Sequence, residues 1–240
     1  LYRMGLLKPV LSAIEHILPH VQSDRNVSEL HNIFGDLLWI TGQVHRAIAS
    51  QKQAIAIARS AMKPLQCPVR NLADLAEATA QTSKPVQASK PVQASTASHP
   101  HAHECYTFRM IEIDSLLSIG LYHIDLWHLN QAIEKFESVI DLADHTPHHA
   151  WAKKAKVCLA MTLTHQSKDG GLNRQDAEKL ARLAQALADP IYTELSKAFD
   201  VEDTARFAYF IQLLGQTYAN LGDQSKAQTL YQRAMQFSEK

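Results

Sequence analysis

The chain has 240 residues with 24 basic and 24 acidic side chains, so its formal net charge is zero. A balanced charge without a basic run argues against a nucleic-acid-binding protein, because such proteins normally carry a basic surface. No apolar stretch approaches the roughly 20 residues that a membrane-crossing helix needs. Neither nucleic acid nor a membrane is therefore expected as a partner.

Outside one central segment, apolar residues recur every three or four positions, which predicts amphipathic helices. Asn26 and Glu29 resemble a capping box, Asp223 stands at the start of the last helix, and Asp189-Pro190 is expected to end a helix. Few glycines and many Ala and Leu residues also favour an all-α fold without strands. The predicted helices are residues 9–22, 26–41, 43–61, 104–124, 127–143, 148–165, 173–188, 191–199, 202–220 and 223–238.

The central segment has a different composition. Several prolines lie between residues 63 and 105, and the hexamer Ser-Lys-Pro-Val-Gln-Ala occurs twice in tandem from Ser83 to Ala94. Such a segment cannot bury enough apolar surface to offset the entropy lost on ordering it. We therefore expect N-terminal helical hairpins at 1–62, a flexible Pro/Ser/Ala/His insert at 63–103 and helical repeats at 104–240.

Three cysteines, Cys67, Cys105 and Cys158, are few and far apart in the sequence. This argues against a disulfide framework and favours a reducing compartment. The N-terminus also lacks the layout of a signal peptide, so a cytoplasmic location is expected. Because the chain begins at Leu1 rather than Met, we expect it to be part of a longer protein.

The glycines mark an internal repeat. Each of three glycines is followed by an alanine after twelve residues and by a second small residue seven positions later: Gly35, Ala47 and Ala54; Gly120, Ala132 and Val139; Gly215, Ala227 and Ala234. A glycine in one helix lets the next helix approach closely, and the small residues leave room for a following helix. Gly42 and Gly222 would allow the positive φ of the turn between the helices.

This spacing resembles the tetratricopeptide repeat. The copy from Leu214 to Ala234 is the closest match, whereas the first copy has Gln51 where an aromatic residue is usual, and the second has Trp127 at the turn glycine. A degenerate copy runs from Trp151 to Ala184. The resemblance implies antiparallel helical hairpins stacked into a right-handed solenoid, and a bacterial, non-catalytic scaffold that binds a protein or peptide.

In such solenoids the first helix of each hairpin lines a concave groove, so the resemblance also implies binding residues. A basic clamp for chaperone tails is absent apart from Lys156, and the mixture of acidic, amide and apolar groups suits a neutral or basic amphipathic peptide. The predicted groove residues are Glu29, Asn32, Asp36, Trp39, Asp114, Leu117, Leu121, Asp125, Lys156, Tyr209, Gln212, Gln216 and Asn220.

Two alternatives remain open. The repeats could be the sensor or regulatory region of a larger bacterial, nucleotide-dependent signalling protein, with other domains of the same parent chain as partners. Alternatively, His99, His101 and His103, beside Cys105, could bind zinc, nickel or copper, because imidazole and thiolate ligate these metals. No catalytic constellation and no phosphate-binding loop is present, so neither enzymatic activity nor a cofactor is expected.

Overall fold

The computed structural model describes residues 4–65, 67, 101–143, 149–169, 171–197 and 204–238. These residues form nine α-helices and one 3-10 turn, Leu18–His20, without a strand, which confirms the all-α prediction. The helices are α1 (Met4–Ile17), α2 (Asp24–Ile40), α3 (Val44–Met62), α4 (Ala102–Asp125), α5 (Leu129–Ala143), α6 (His149–Asp169), α7 (Arg174–Lys197), α8 (Thr204–Leu221) and α9 (Gln224–Ser238). None of these helices combines the length and apolarity that crossing a membrane requires.

The predicted start of α9 is confirmed and that of α2 is wrong. The backbone N–H of Lys226 donates to Asp223 Oδ1 at 3.1 Å, which is the expected N-cap. Helix α2 begins at Asp24, before the predicted capping box, and its N-cap residue makes no side-chain hydrogen bond. Glu29 instead accepts a hydrogen bond from Arg25 Nε at 2.9 Å, one helical turn away.

Helix α7 continues through Pro190, so the predicted break after Asp189 is wrong. A proline inside a helix costs about 3 kcal/mol, because it removes one backbone hydrogen bond and crowds the preceding turn. Ala188 and Ile191, on either side of this turn, are both buried. Packing of these side chains offsets the local cost, which an argument from the single proline cannot anticipate.

The chain divides into two compact units, residues 1–119 with 142–149 and residues 120–141 with 150–240. In the first unit, an apolar cluster joins α3 to α4 and contains Ala58, Met62, Phe108 and Ile111. The second unit has its own core, in which Leu214 and Leu230 are almost completely buried. Each unit therefore has an apolar core of its own.

A disulfide joins Cys67 to Cys105 in the first unit, although the number and spacing of the cysteines argued against a disulfide framework. Their Cα atoms are 5.6 Å apart although 38 residues separate them in sequence. Leu65, Ala102 and Tyr106 pack around this bond. Cys158 is free and buried. Disulfides are typical of oxidising compartments, whereas a cytoplasmic location stays a prediction.

Residues 66 and 68–100 lie outside the described residues. They contain most of the predicted insert at 63–103, and its flexibility stays a prediction. The three-region division of the chain at 62 and 103 also stays a prediction.

The repeated glycines pack as the spacing indicates. A methyl group added at each would lie 2.7 Å from Gln51 Nε2 at Gly35, 2.4 Å from Phe136 Cε1 at Gly120, and 2.8 Å from Tyr231 Cε1 at Gly215. Real side chains essentially never approach so closely, so each position has room for hydrogen alone. The partner stands sixteen residues after the glycine in all three hairpins.

The turn between the paired helices has positive φ in each of these hairpins. Gly42 has φ of 80° and Gly222 has φ of 89°. Trp127 occupies the same place in the α4–α5 turn with φ of 59°, the left-handed region that disfavours side chains. The turn geometry is thus conserved between hairpins even where a bulky residue must adopt it.

Candidate functional site

The predicted groove residues of the first hairpin, α2–α3, form part of a polar network. Asn32 is buried, and its Nδ2 donates to Gln51 Oε1 at 3.2 Å and to Ser115 Oγ at 3.0 Å. Asp36 Oδ1 accepts hydrogen bonds from Gln51 Nε2 and from Ser118 Oγ, both at 3.1 Å. These contacts tie α2 and α3 to α4 within the first unit.

Gln51 is the centre of this network and is fully buried. Its Nε2 also donates to the backbone oxygen of Asn32 at 3.0 Å. Because a buried amide without partners is costly, Gln51 depends on Asn32 and Asp36 for its place in the core. The sequence signal for the network was the replacement of the usual aromatic residue by Gln51.

The other predicted residues of the first unit differ in exposure. Glu29, Trp39 and Asp114 are half-buried, whereas Leu117 is buried and presents little surface to a ligand. Two apolar residues that sequence reasoning missed, Ile33 and Ile40, are 52% and 42% exposed. They stand seven residues apart, and therefore lie on one face of α2.

In the second unit, the predicted residues on α4 and α6 differ in exposure. Leu121 is buried, Lys156 is half-buried and Asp125 is exposed. Burial raises the pKa of Tyr209 on α8 above its ordinary value, and neighbouring Cys158 and Asp125 raise it further. Asp125 and Tyr209 therefore lie within electrostatic reach of one another, although they come from different helices.

A cleft of about 420 Å³ opens on the last hairpin, α8–α9. Two predicted groove residues, Tyr209 and Gln212, line it together with Tyr231, Ala234 and Met235. Met235 is 62% exposed, an unusual state for a large apolar side chain, and part of the Tyr209 ring is also accessible. The cleft thus combines aromatic, thioether and amide groups at the surface. Sequence reasoning missed its α9 wall, because only first helices of hairpins were considered.

Gln216 and Asn220, the remaining predicted residues, take part in a chain of hydrogen bonds. Tyr231 Oη donates to Gln216 Oε1 at 3.3 Å, and Gln216 Nε2 donates to Asn220 Oδ1 at 3.2 Å. Asn220 Nδ2 in turn donates to Thr164 Oγ1 at 3.0 Å. This chain connects α9 to α6 through α8 and orients Tyr231, a wall of the cleft.

A separate polar cluster surrounds Asp189. Tyr218 Oη donates to Asp189 Oδ1 at 2.7 Å and Lys226 Nζ donates to the same atom at 3.1 Å. Burial opposes the shift, but these two hydrogen bonds hold the pKa of Asp189 below its ordinary value. Burial, followed by the bond to Asp189, raises the pKa of Tyr218. A carboxylate that accepts hydrogen bonds from a phenol and an ammonium suits a structural clamp joining α7, α8 and α9.

The proposed histidine ligands are only partly described. His99 lies outside the described residues. His101 Nδ1 lies 3.3 Å from Glu104 Oε2, and His103 belongs to α4. Cys105 is bonded to Cys67 and offers no thiolate. Within the described parts of the chain, no group of three His, Cys, Asp or Glu residues could hold a metal ion.

Comparison with known proteins identifies the repeat family that two of the hairpins resemble. Residues 28–60 and 208–240 match the family model of the tetratricopeptide repeat, and these segments correspond to α2–α3 and α8–α9. The search of curated proteins returned no match. The hairpins α2–α3 and α8–α9 therefore match the tetratricopeptide repeat, which confirms the predicted resemblance for these two segments.

Proposed function

We propose that this chain, built on tetratricopeptide repeats, is a non-catalytic module that binds an amphipathic peptide in the cleft of α8–α9. Repeats of this family generally mediate contacts between proteins. The observation that carries the proposal is the cleft itself, in which predicted residues Tyr209 and Gln212 meet exposed Met235. Its volume of about 420 Å³ is within the range of ligand pockets.

The chemistry of the cleft suits one apolar anchor side chain of a peptide. Tyr209 and Tyr231 offer rigid, partly polar rings, and Met235 offers a flexible thioether that adapts to different shapes. Gln212 is exposed and can exchange hydrogen bonds with a peptide backbone. Asp125, close enough to affect Tyr209, would favour a basic residue beside the anchor.

A peptide selection tests this proposal. Random twelve-residue peptides are displayed on phage and selected on the full chain, and the recovered peptides are measured by fluorescence anisotropy. Gln212→Lys and Met235→Lys are expected to weaken binding by at least about tenfold, because each introduces a charge into the apolar cleft. Gln232→Lys, on the exposed side of α9 outside the cleft wall, is the matched control and should leave binding unchanged.

The proposal fails if the recovered peptides bind all three variants equally, or if no peptide is recovered. Half-buried Glu29, Asp36, Trp39, Asp114 and Lys156 remain proposed as further contacts for a longer peptide. We place a separate protein ahead of another domain of the parent chain as the source of the peptide. The role in signalling and the cytoplasmic location also remain proposals.

A further inference from the structure

The methionine side chains of this chain differ widely in their exposure. Met62 and Met161 are 7% and 5% exposed, and Met110 is half-buried. Met235, on the last helix α9, is 62% exposed, which makes it the most accessible methionine side chain in the described part of the chain. A reagent that reacts with thioether sulfur should therefore reach Met235 before the buried methionines.

The cysteines offer such a reagent little competition. Cys67 and Cys105 are joined in a disulfide. Cys158 is completely buried, and burial raises the pKa of its thiol, so that it carries little of the reactive thiolate at neutral pH. Among the described sulfur-containing side chains, Met235 is therefore the one at which an oxidant is expected to act.

Met235 is also a wall of the α8–α9 cleft, so a change at its sulfur alters the cleft directly. It follows Tyr231 by four residues and shares one face of α9 with that ring. Tyr209 of α8 and the buried Ala234 line the same cleft. A thioether suits these neighbours because it is apolar and polarisable, whereas a sulfoxide is polar and requires a hydrogen-bond donor when it is buried under a ligand.

We propose that Met235 is a modification site, at which a peroxide converts the thioether to a sulfoxide and thereby weakens peptide binding in the α8–α9 cleft. A lone pair of the sulfur attacks one peroxide oxygen, so that an S–O bond forms and the O–O bond breaks. With hydrogen peroxide, the other oxygen leaves as hydroxide and takes up the proton of the transferred oxygen to give water. The sulfur loses two electrons and the peroxide gains them. Sulfoxide reductases return methionine sulfoxide to methionine, so the modification is reversible.

Peptide mass mapping of the full chain during exposure to hydrogen peroxide tests the site independently of any peptide ligand. Met235 should be oxidised at least about tenfold faster than Met62 and Met161, because the core shields those two side chains. Unfolding the chain in urea should bring the three rates together, since the difference arises from burial. Equal rates in the folded chain, or a slower reaction at Met235, would overturn the proposal.

Fluorescence anisotropy with a selected peptide that lacks methionine and cysteine tests the effect on the cleft, which rests on the proposed peptide binding. The affinity of the parent chain should fall about tenfold once Met235 is oxidised, and a methionine sulfoxide reductase should restore it. Met235→Leu has no sulfur at this position, so its affinity should be the same before and after peroxide treatment. Met110→Leu, which changes a methionine of the first unit outside the cleft lining, is the matched control and should lose affinity as the parent does.

The outcomes separate this proposal from the proposed function. Unchanged affinity of the parent after complete oxidation of Met235 would overturn the effect on the cleft. An equal loss of affinity in Met235→Leu would also overturn it, because the responsible oxidation would then lie at another residue. Failure to select any peptide would count against the proposed function, and the oxidation rates would still decide whether Met235 is the modification site.

Discussion

The hairpins α2–α3 and α8–α9 have the same small-residue spacing but different chemistry beside the packing glycine. Over Gly35 stands Gln51, fully buried and hydrogen-bonded to Asn32 and Asp36. Over Gly215 stands Tyr231, half-buried and lining an open cleft. The side chain opposite the packing glycine therefore helps determine whether this part of the hairpin forms a buried polar network or a surface cleft available to a ligand.

The largest expected effect comes from the disulfide of the first unit. Closing a loop of 38 residues stabilises the folded chain by about 4 kcal/mol in the chain-entropy model. Cys105→Ser should lower the free energy of unfolding by about this amount in urea denaturation. Reductant should lower the stability of the parent chain similarly and have no further effect on the variant. An unchanged urea midpoint on reduction of the parent would contradict the stabilising role of this bond.

Exchanging the two partner residues tests the comparison directly. Gln51→Tyr removes three hydrogen bonds and leaves buried polar atoms of the network unsatisfied, so it should cost about 3 kcal/mol. Tyr231→Gln removes a half-buried ring and should cost only about 1 kcal/mol. Thermal unfolding of both variants provides the measurement. Equal costs would show that the network has no special role in the first hairpin.

The turn of α4–α5 extends the comparison to a hairpin without a turn glycine. Trp127→Gly should raise the free energy of unfolding by about 0.5 kcal/mol, because relief of left-handed strain exceeds the loss of an exposed contact with His165. Gly222→Ala, the reverse type of change in α8–α9, should lower it by about 1 kcal/mol. Chemical denaturation of both variants checks the signs. A destabilised Trp127→Gly would indicate that the ring contact outweighs the strain.

The smallest expected effect is a pH dependence in the first hairpin. Burial lowers the pKa of His31, so between this lowered value and pH 6.5, the ordinary value, the unfolded chain binds more protons than the folded chain. The contribution of His31 to stability is therefore present above pH 6.5 and is lost as the pH falls through the folded pKa. His31→Gln should flatten the slope of urea midpoints between pH 7 and pH 5. The hairpin α8–α9 contains no histidine, so no residue of that hairpin gives a corresponding histidine-dependent change of stability with pH. Parallel slopes in parent and variant would refute this role for His31.

Sequence reasoning was most successful where spacing alone carries the information. Gly35, Gly120 and Gly215 identified the packing positions, because a helix places residues at fixed intervals on its faces. It was least successful where a distant partner decides the outcome. Asn32 was expected in a groove and is buried beside Gln51 and Ser115, a residue 83 positions away.

The same limit applies to Pro190 and to the cysteines. Local propensity predicted a helix end at Pro190, but burial of the neighbouring Ala188 and Ile191 outweighs it. Cys67 and Cys105 lie too far apart in sequence for their pairing to be inferred, and the packing of α3 and α4 brings them together.

The amino-acid sequence by itself determined the all-α repeat, the close approach at the glycines and the turns with positive φ. These properties depend on short-range geometry, which recurs wherever the spacing recurs. Only the tertiary structure decided which predicted residues remain at the surface, because burial depends on side chains from other helices. In the tertiary structure Asn32, Leu117 and Leu121 are buried, whereas Tyr209 and Gln212 line an open cleft with Met235.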